Sequence, residues 1–250
     1  MIYVCLPSFN AAPTVGLVLW KIRQVLEEFS REYQILVVDD ASTDGTATVL
    51  EPYERALPMT LISMGQHVGH GASLEILVRE ALSRTDRPRR DCLITLPADF
   101  SVTPAVLPDL IKRVESGADV VVGEVLSAPA SPAMRGVRRL ATWLLRPGVQ
   151  LRGLRDIASG VYAFRLITLR GCVKDSQGPL LHTDGRCADA ELVARAATIA
   201  RQIAVVPLAA DAPDGAARSS EGALSLALSL IRAGRSLSIP APQTPVRRTS

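Results

Sequence analysis

Short apolar runs alternate with segments of helical periodicity from the start of the chain to Val122, and only short links join them. This alternation confines the chain to an α/β architecture, because parallel strands are joined by crossovers that pack helices back on the sheet. Ile2–Leu6, Ile35–Val38, Met59–Ser63, Cys92–Leu96 and Asp119–Val122 read as strands. Ile35–Val38 is apolar throughout, as in a strand buried on both faces. Between them, Thr14–Phe29 repeats apolar residues at helical spacing (Val15, Val18, Leu19, Ile22, Leu26, Phe29). Further helices are expected over Thr46–Arg55, from Gly69–Gly71 through Ser83, and over Thr103–Glu115 with Pro104 at its start. The expectation is a mostly parallel, Rossmann-like sheet flanked by helices.

After Gly123 the pattern loosens. Ser127–Pro132 and Ala209–Ser220 read as loops, Met134–Leu145 and Ala188–Ala200 as helices, Val161–Phe164 as a strand and Ile203–Pro207 as the final strand. Gly222–Ala233 alternates Leu and Ser. Ser236–Ser250, with Pro240, Pro242 and Pro245, reads as a disordered tail.

Composition removes several classes. Of 250 residues, 48% are apolar and 21% charged, which suits a globular domain with a substantial core. Aromatic residues are 4%, too few for base-stacking platforms, and a net charge of +3 is too weak for a nucleic-acid footprint. The positive charge is nearly all arginine; Lys21, Lys112 and Lys174 are the only lysines. Cys5, Cys92, Cys172 and Cys187 are far apart with no CxxC, so neither a disulfide framework nor a zinc site is expected, and Cys5 and Cys92 read as core residues. The opening MIYVCLPSFN reads as a strand rather than a signal peptide, and every apolar run falls short of a bilayer span. The expectation is a cytoplasmic protein. Peripheral contact with the inner membrane face is left open through Gly222–Ala233 and the arginines after it. A homodimer is also left open.

Ligands of open parallel sheets bind beyond the carboxyl ends of the strands. Polar residues collect there after four successive strands: Ser8 to Asn10, Asp39-Asp40, Gly65 to Gly71, and Asp99. For any one of them a helix cap or turn is a sufficient account; Asp39, Asp40 and Ser42 could cap the next helix, and Asp44-Gly45 could make the turn. As a set they describe one polar rim.

The strings LPSFNA, VVDDASTDGT, VGHGAS, PADFS and RDIASGVYAFR, in this order and spacing, resemble the motifs of family-2 glycosyltransferases of the GT-A fold. The likeness covers roughly residues 2–210 and is greatest to the polyprenyl-phosphate (dolichol-phosphate mannose synthase type) branch. It implies an inverting, metal-assisted transfer from a nucleotide diphosphate sugar, GDP- or UDP-linked. It also implies one domain over residues 1–235: a nucleotide-sugar half over 1–99, an acceptor half over 100–210 and a C-terminal loop and helix over 211–235. Pro7, Ser8, Asn10 and Ala98 would line the nucleotide cleft, and one carboxylate of Asp39-Asp40 would accept a hydrogen bond from the base. Gly69 and Gly71 would let backbone approach the nucleotide, where a Cβ would clash. Asp99 stands where the family binds Mg²⁺ or Mn²⁺ on the donor diphosphate. Pro97 replaces the family's first carboxylate and Ser101 a frequent Gln. Metal held mainly through Asp99, reliance on arginines, and lost catalysis are the alternatives this departure leaves.

The acceptor side offers two chemistries. A polyprenyl phosphate is already an anion and needs cations; Arg135, Arg138 and Arg139 fall within about one helical turn and could grip it. A small-molecule or natural-product hydroxyl needs a carboxylate base, for which Asp189 and Glu191 are the candidates. Ser159 and Gly160 match the branch's Asp-x-x-Ser-Gly turn. His182 lies in a loop that in this family closes over the donor, and Arg218 lies in an altered form of the branch's basic loop. His67 and His70 read chiefly as solvated loop residues. A nucleotidyltransferase would carry basic residues in its first loop, and residues 6–16 have none. A degenerate nucleotide-sugar-binding module is the non-enzymatic alternative.

Overall fold

The computed structural model describes residues 1–29, 31–127, 159–176 and 178–209, together with 154, 157, 227–232, 237, 239 and 246–247. The alternation foreseen in the first half is present: β1 Ile2–Ser8, α1 Val15–Glu27, β2 Tyr33–Asp39, α2 Thr46–Ala56, β3 Met59–Ser63, α3 His70–Arg84 and β4 Cys92–Thr95. Pro104–Val106 forms a 3₁₀ turn before α4, Leu107–Glu115. One helix was expected here. Pro108 has no N–H to return to the Pro104 carbonyl, which instead accepts from Leu107, so the first turn stays tight.

Then follow β5 Val120–Ser127, β6 Tyr162–Arg165, α5 Leu166–Asp175, α6 Arg186–Ile199, β7 Ile203–Ala209 and β8 Val246–Arg247. The strand order is β3-β2-β1-β4-β6-β5-β7-β8, and β6 runs antiparallel to both neighbours. The sheet is therefore mostly parallel. Alternate residues of β1 enter opposite cores: Tyr3 and Cys5 pack with residues of α3, α5 and α6, whereas Ile2, Val4 and Leu6 pack with α1 and α4. All four cysteines are buried and free, and burial pushes the Cys92 and Cys172 thiols up to about 12.

Two features differ from the expectation. Helix α5 was not foreseen, because Ile167, Thr168, Val173 and Gly171 weaken its helical signal; Gly171 packs closely on Ile199 of α6, whose Cδ1 would lie 3.0 Å from an added Cβ. Near the end of the chain, Val246–Arg247 pairs in parallel with Ile203–Ala204, and Leu237 is buried, so Ile203–Ala209 is not the last strand. Residues 227–232 are helical; Leu230 is buried in the core while Leu228 is exposed. The expected helix Met134–Leu145 lies outside the described residues. Among the described residues no helix is long and apolar enough to cross a membrane.

Candidate active site

The carboxyl ends of β1 and β4 open into a cleft of about 400 Å³. Of the candidate residues, Pro7, Asn10, Ala98, Asp99, Ser159, Gly160 and Asp189 line it, together with Pro97, whereas Ser8, Asp39, Asp40, Gly69 and Gly71 do not. The backbone here is strained in a consistent way. Asn10, Ala41 and Phe100 have φ of 48°, 57° and 56°, each shortly after a strand end. For Ala and Phe such angles cost on the order of 1 kcal/mol, and such strain concentrates at functional sites.

The two adjacent aspartates have separate tasks. Asp40 accepts from the backbone N–H of Val68 (2.7 Å) and Gly69 (2.9 Å), with His67 Nδ1 at 2.9 Å. Its carboxylate is thus taken up by the glycine loop before α3. Asp39 accepts from Ser42 Oγ, which itself accepts from the Asn10 N–H at 2.9 Å. Asn10 Oδ1 accepts from Thr43 N–H at 2.9 Å, so the first and second strand ends form one network. Ser8 Oγ is buried and has no hydrogen-bond partner among the described residues. Phe9 stacks on His67 at the cleft mouth, with ring centroids 4.3 Å apart.

Gly69 and Gly71 are required, but for a different neighbour than expected. A Cβ on Gly69 would lie 2.7 Å from Asp184 Oδ2, and one on Gly71 would overlap the Thr183 carbonyl. Gly71 N–H donates to Asp184 Oδ1 at 2.8 Å. The close approach is thus between the start of α3 and the loop before α6.

That loop is pinned along its length. Glu75 accepts from Leu180 N–H (2.8 Å) and Leu181 N–H (3.1 Å). Glu191, fully buried, accepts from His182 N–H (2.9 Å), Thr183 N–H (3.0 Å), Thr183 Oγ1 (2.9 Å) and Arg195 Nη2 (2.7 Å). Burial alone would raise its pKa, but the His182 amide, Arg195 and Thr183 bring it below the ordinary carboxylate value. Glu191 is thereby taken up in holding this loop, and it does not line the cleft. His182 is half exposed, with Nδ1 3.3 Å from Glu191 Oε1, and does not line the cleft.

Asp189 is the remaining candidate base. It sits in the first turn of α6, nearly buried, with Oδ1 3.2 Å from His70 Nε2 in the first turn of α3. Burial works to lower the His70 pKa, but the Asp189 and Asp184 carboxylates outweigh it and hold the imidazole above its ordinary value. Arg186, at the start of α6 after Gly185, faces the same cleft. Arg186 and the weight of His70 were missed. The signal was the Gly185–Arg186–Asp189 spacing, which sets a cation and a carboxylate one turn apart on a helix start. Arg135, Arg138, Arg139 and Arg218 lie outside the described residues.

Asp99 accepts a hydrogen bond from Ser101 N–H at 2.9 Å. Pro97 lies beside it on the cleft wall, its ring 3.9 Å from where a Gly160 Cβ would stand. Among the described residues no three His, Cys, Asp or Glu side chains converge as a metal cage. The donor set fits Mg²⁺ or Mn²⁺ only as Asp99 plus diphosphate oxygens and water, a mode Mg²⁺ commonly adopts.

The fold and the cleft are those of a GT-A glycosyltransferase. The sequence matches Glycosyl transferase family 2 over residues 3–167, and the chain belongs to that family. It is 28% identical over 214 residues to the undecaprenyl-phosphate mannosyltransferase of Micrococcus luteus, covering 81% of this chain and 80% of that protein. It is 27% identical over 118 residues to the undecaprenyl-phosphate 4-deoxy-4-formamido-L-arabinose transferase of Photorhabdus laumondii, covering 47% of this chain but only 35% of that one. Among solved structures, glucosyl-3-phosphoglycerate synthase from Mycobacterium tuberculosis, in complex with Mn²⁺ and UDP-glucose, aligns with a TM-score of 0.66 at 19% identity, over 95% of this chain and 79% of that one.

Proposed function

We propose that this glycosyltransferase moves a sugar, with inversion, from a GDP- or UDP-linked donor to polyprenyl phosphate. The observation that carries the reading is the joint presence of Asp99, His70, Arg186 and Asp189 in one cleft beyond β1 and β4. The undecaprenyl-phosphate relatives support the acceptor class.

Asp39, tied through Ser42 to Asn10 of the cleft, would accept from the N–H edge of uracil or guanine, as a carboxylate can. Asp99 would hold Mg²⁺ or Mn²⁺, which when bound neutralises charge developing on the leaving diphosphate. The acceptor phosphate oxygen attacks the anomeric carbon from the opposite face as the bond to the diphosphate breaks. Such an acceptor is ionised already. It needs cations; Arg186 supplies one at the N-terminus of α6, beside the start of α3, where the Asp189 and Asp184 carboxylates hold the His70 imidazole above its ordinary pKa. With Glu191 and Glu75 committed to the 180–183 loop, Asp189 is left to orient His70.

A second reading is favoured by Asp189 itself. A nearly buried carboxylate held in the cleft by a histidine is suited to deprotonate a hydroxyl acceptor. Membrane contact under the first reading would be peripheral, on the cytoplasmic face. The deciding experiment measures transfer from GDP- and UDP-hexoses to undecaprenyl phosphate in detergent and to soluble hydroxyl acceptors, with Mg²⁺ and with chelator. Metal-dependent product on the lipid alone supports the first reading; product only on the hydroxyl overturns it.

A further inference from the structure

A second cleft, of about 550 Å³, lies at the opposite end of the sheet, lined by Arg89, Asp119, Arg165, Ile167, Ile199 and Arg201 among others. Its walls come from the turns before β4, β5 and β7, the end of β6, the start of α5 and the last turn of α6. Nothing in the glycosyl-transfer chemistry uses it.

Its floor is rigid and electrically closed. Arg165 donates from Nε to Asp119 Oδ1 (3.2 Å), from Nη1 to the Arg89 carbonyl (2.8 Å), and from Nη2 to the carbonyls of Val114 (2.6 Å) and Ala118 (3.2 Å). The other Asp119 oxygen accepts from Arg201 N–H at 2.8 Å. Both oxygens of the one carboxylate in the cleft are thereby occupied. The guanidinium groups of Arg89 and Arg201 have no acidic partner among the described residues, and both side chains are exposed. The walls are apolar where they need not be. Seven large hydrophobic side chains are exposed among the described residues, and two of them, Ile167 (36%) and Ile199 (37%), face this single cleft.

Two uncompensated guanidinium groups beside a pair of exposed isoleucines match an amphiphilic anion. We propose that this cleft binds a small phosphorylated ligand, its phosphate held by Arg89 and Arg201 and its apolar part resting on Ile167 and Ile199. The site is separate from the catalytic cleft: Ile199 ends the same helix, α6, whose first turn carries Arg186 and Asp189.

The test is calorimetric titration of the full chain, free of donor and metal, with hexyl phosphate and with inorganic phosphate. The ligand site predicts saturable binding of hexyl phosphate, about tenfold tighter than inorganic phosphate because of the buried alkyl part. Arg89→Ser/Arg201→Ser should weaken hexyl phosphate at least about tenfold, the loss of a charge-assisted contact. Ile199→Ser should bring the two ligands to similar affinity. Arg186→Ser, in the catalytic cleft, should leave this binding in place. All of these side chains but Arg186 are exposed, and thermal melts of each variant check that it folds. Absence of saturable binding, indifference to the double substitution, or loss of binding in Arg186→Ser would each overturn the proposal. Sedimentation with phosphatidylcholine vesicles containing phosphatidic acid distinguishes the source. Vesicle binding that depends on Arg89 and Arg201 identifies a lipid headgroup; its absence, with hexyl phosphate still bound, identifies a soluble phosphorylated compound.

Discussion

Asp184 Oδ1 accepts a hydrogen bond from the backbone N–H of Gly71 at 2.8 Å, joining the loop before α6 to the first turn of α3. The same junction leaves no room for a Cβ on Gly71, which would collide with the Thr183 carbonyl. Two helix N-termini are thus fixed against one another, and with them the His70–Asp189 pair that lines the cleft.

Gly71→Ala should accordingly lose both stability and activity. An added methyl here meets backbone, which cannot rotate away, so a destabilisation of about 1–3 kcal/mol is expected. Urea unfolding measures it. A variant as stable as the parent would mean that the 183–184 loop shifts freely.

Glu191→Ala should be costlier. The carboxylate is fully buried and accepts from two backbone amides, a hydroxyl and Arg195. Removing one partner of such a buried, charge-paired network costs about 3–5 kcal/mol. The expected result is a large drop in the unfolding midpoint, with little change in donor affinity for the fraction that remains folded.

The pH dependence of stability has two arms. Glu191 and Glu75 have lowered pKa values; burial opposes this, but the accepted N–H bonds and their arginines prevail. Their contribution is present above the ordinary value of 4.5 and is lost as pH falls through the lowered one. His70 is raised from 6.5, so its contribution is complete below 6.5 and is lost as pH rises through the raised value. His70→Gln should flatten the alkaline arm and leave the acid arm, as read from denaturant midpoints across pH.

At the cleft, Asp99→Ala should abolish divalent-dependent donor binding, since Asp99 is the carboxylate beside Pro97 on that wall. Pro97→Asp should tighten Mg²⁺ or Mn²⁺ binding in the presence of nucleoside diphosphate. The position follows the end of β4, where loss of proline costs the sheet nothing. Titration calorimetry with and without chelator reads both.

Arg186→Ser and Asp189→Asn separate the two acceptor chemistries. With a phosphate acceptor, Arg186→Ser raises the acceptor KM roughly tenfold or more while donor binding holds, and Asp189→Asn changes kcat by less than about tenfold. A fall in kcat of about 10²–10⁴ in Asp189→Asn would instead mark a hydroxyl acceptor and a general base.

The sequence by itself determined the alternating fold through β5 and the polar rim. Those signals are local: apolar periodicity fixes element type, and polar residues right after strand ends must lie at the carboxyl edge of the sheet. It also carried the motifs of the family, including Asp99 and the substituted Pro97. What it left open depended on distant partners. Asp39 and Asp40 are neighbours in sequence, yet one joins the Asn10–Ser42 network and the other caps the glycine loop. Asp189 and Glu191 are two residues apart on a helix buried nearly all round, so they point in different directions: one into the cleft beside His70, the other into the 180–183 loop. Helix α5 and the pairing of Val246–Arg247 with β7 were likewise hidden, because their stability comes from packing and from a strand far away in sequence rather than from local preference. Residue type and spacing announce that a carboxylate is present; only the fold decides which hydrogen bonds it is already making, and so whether it remains available for chemistry.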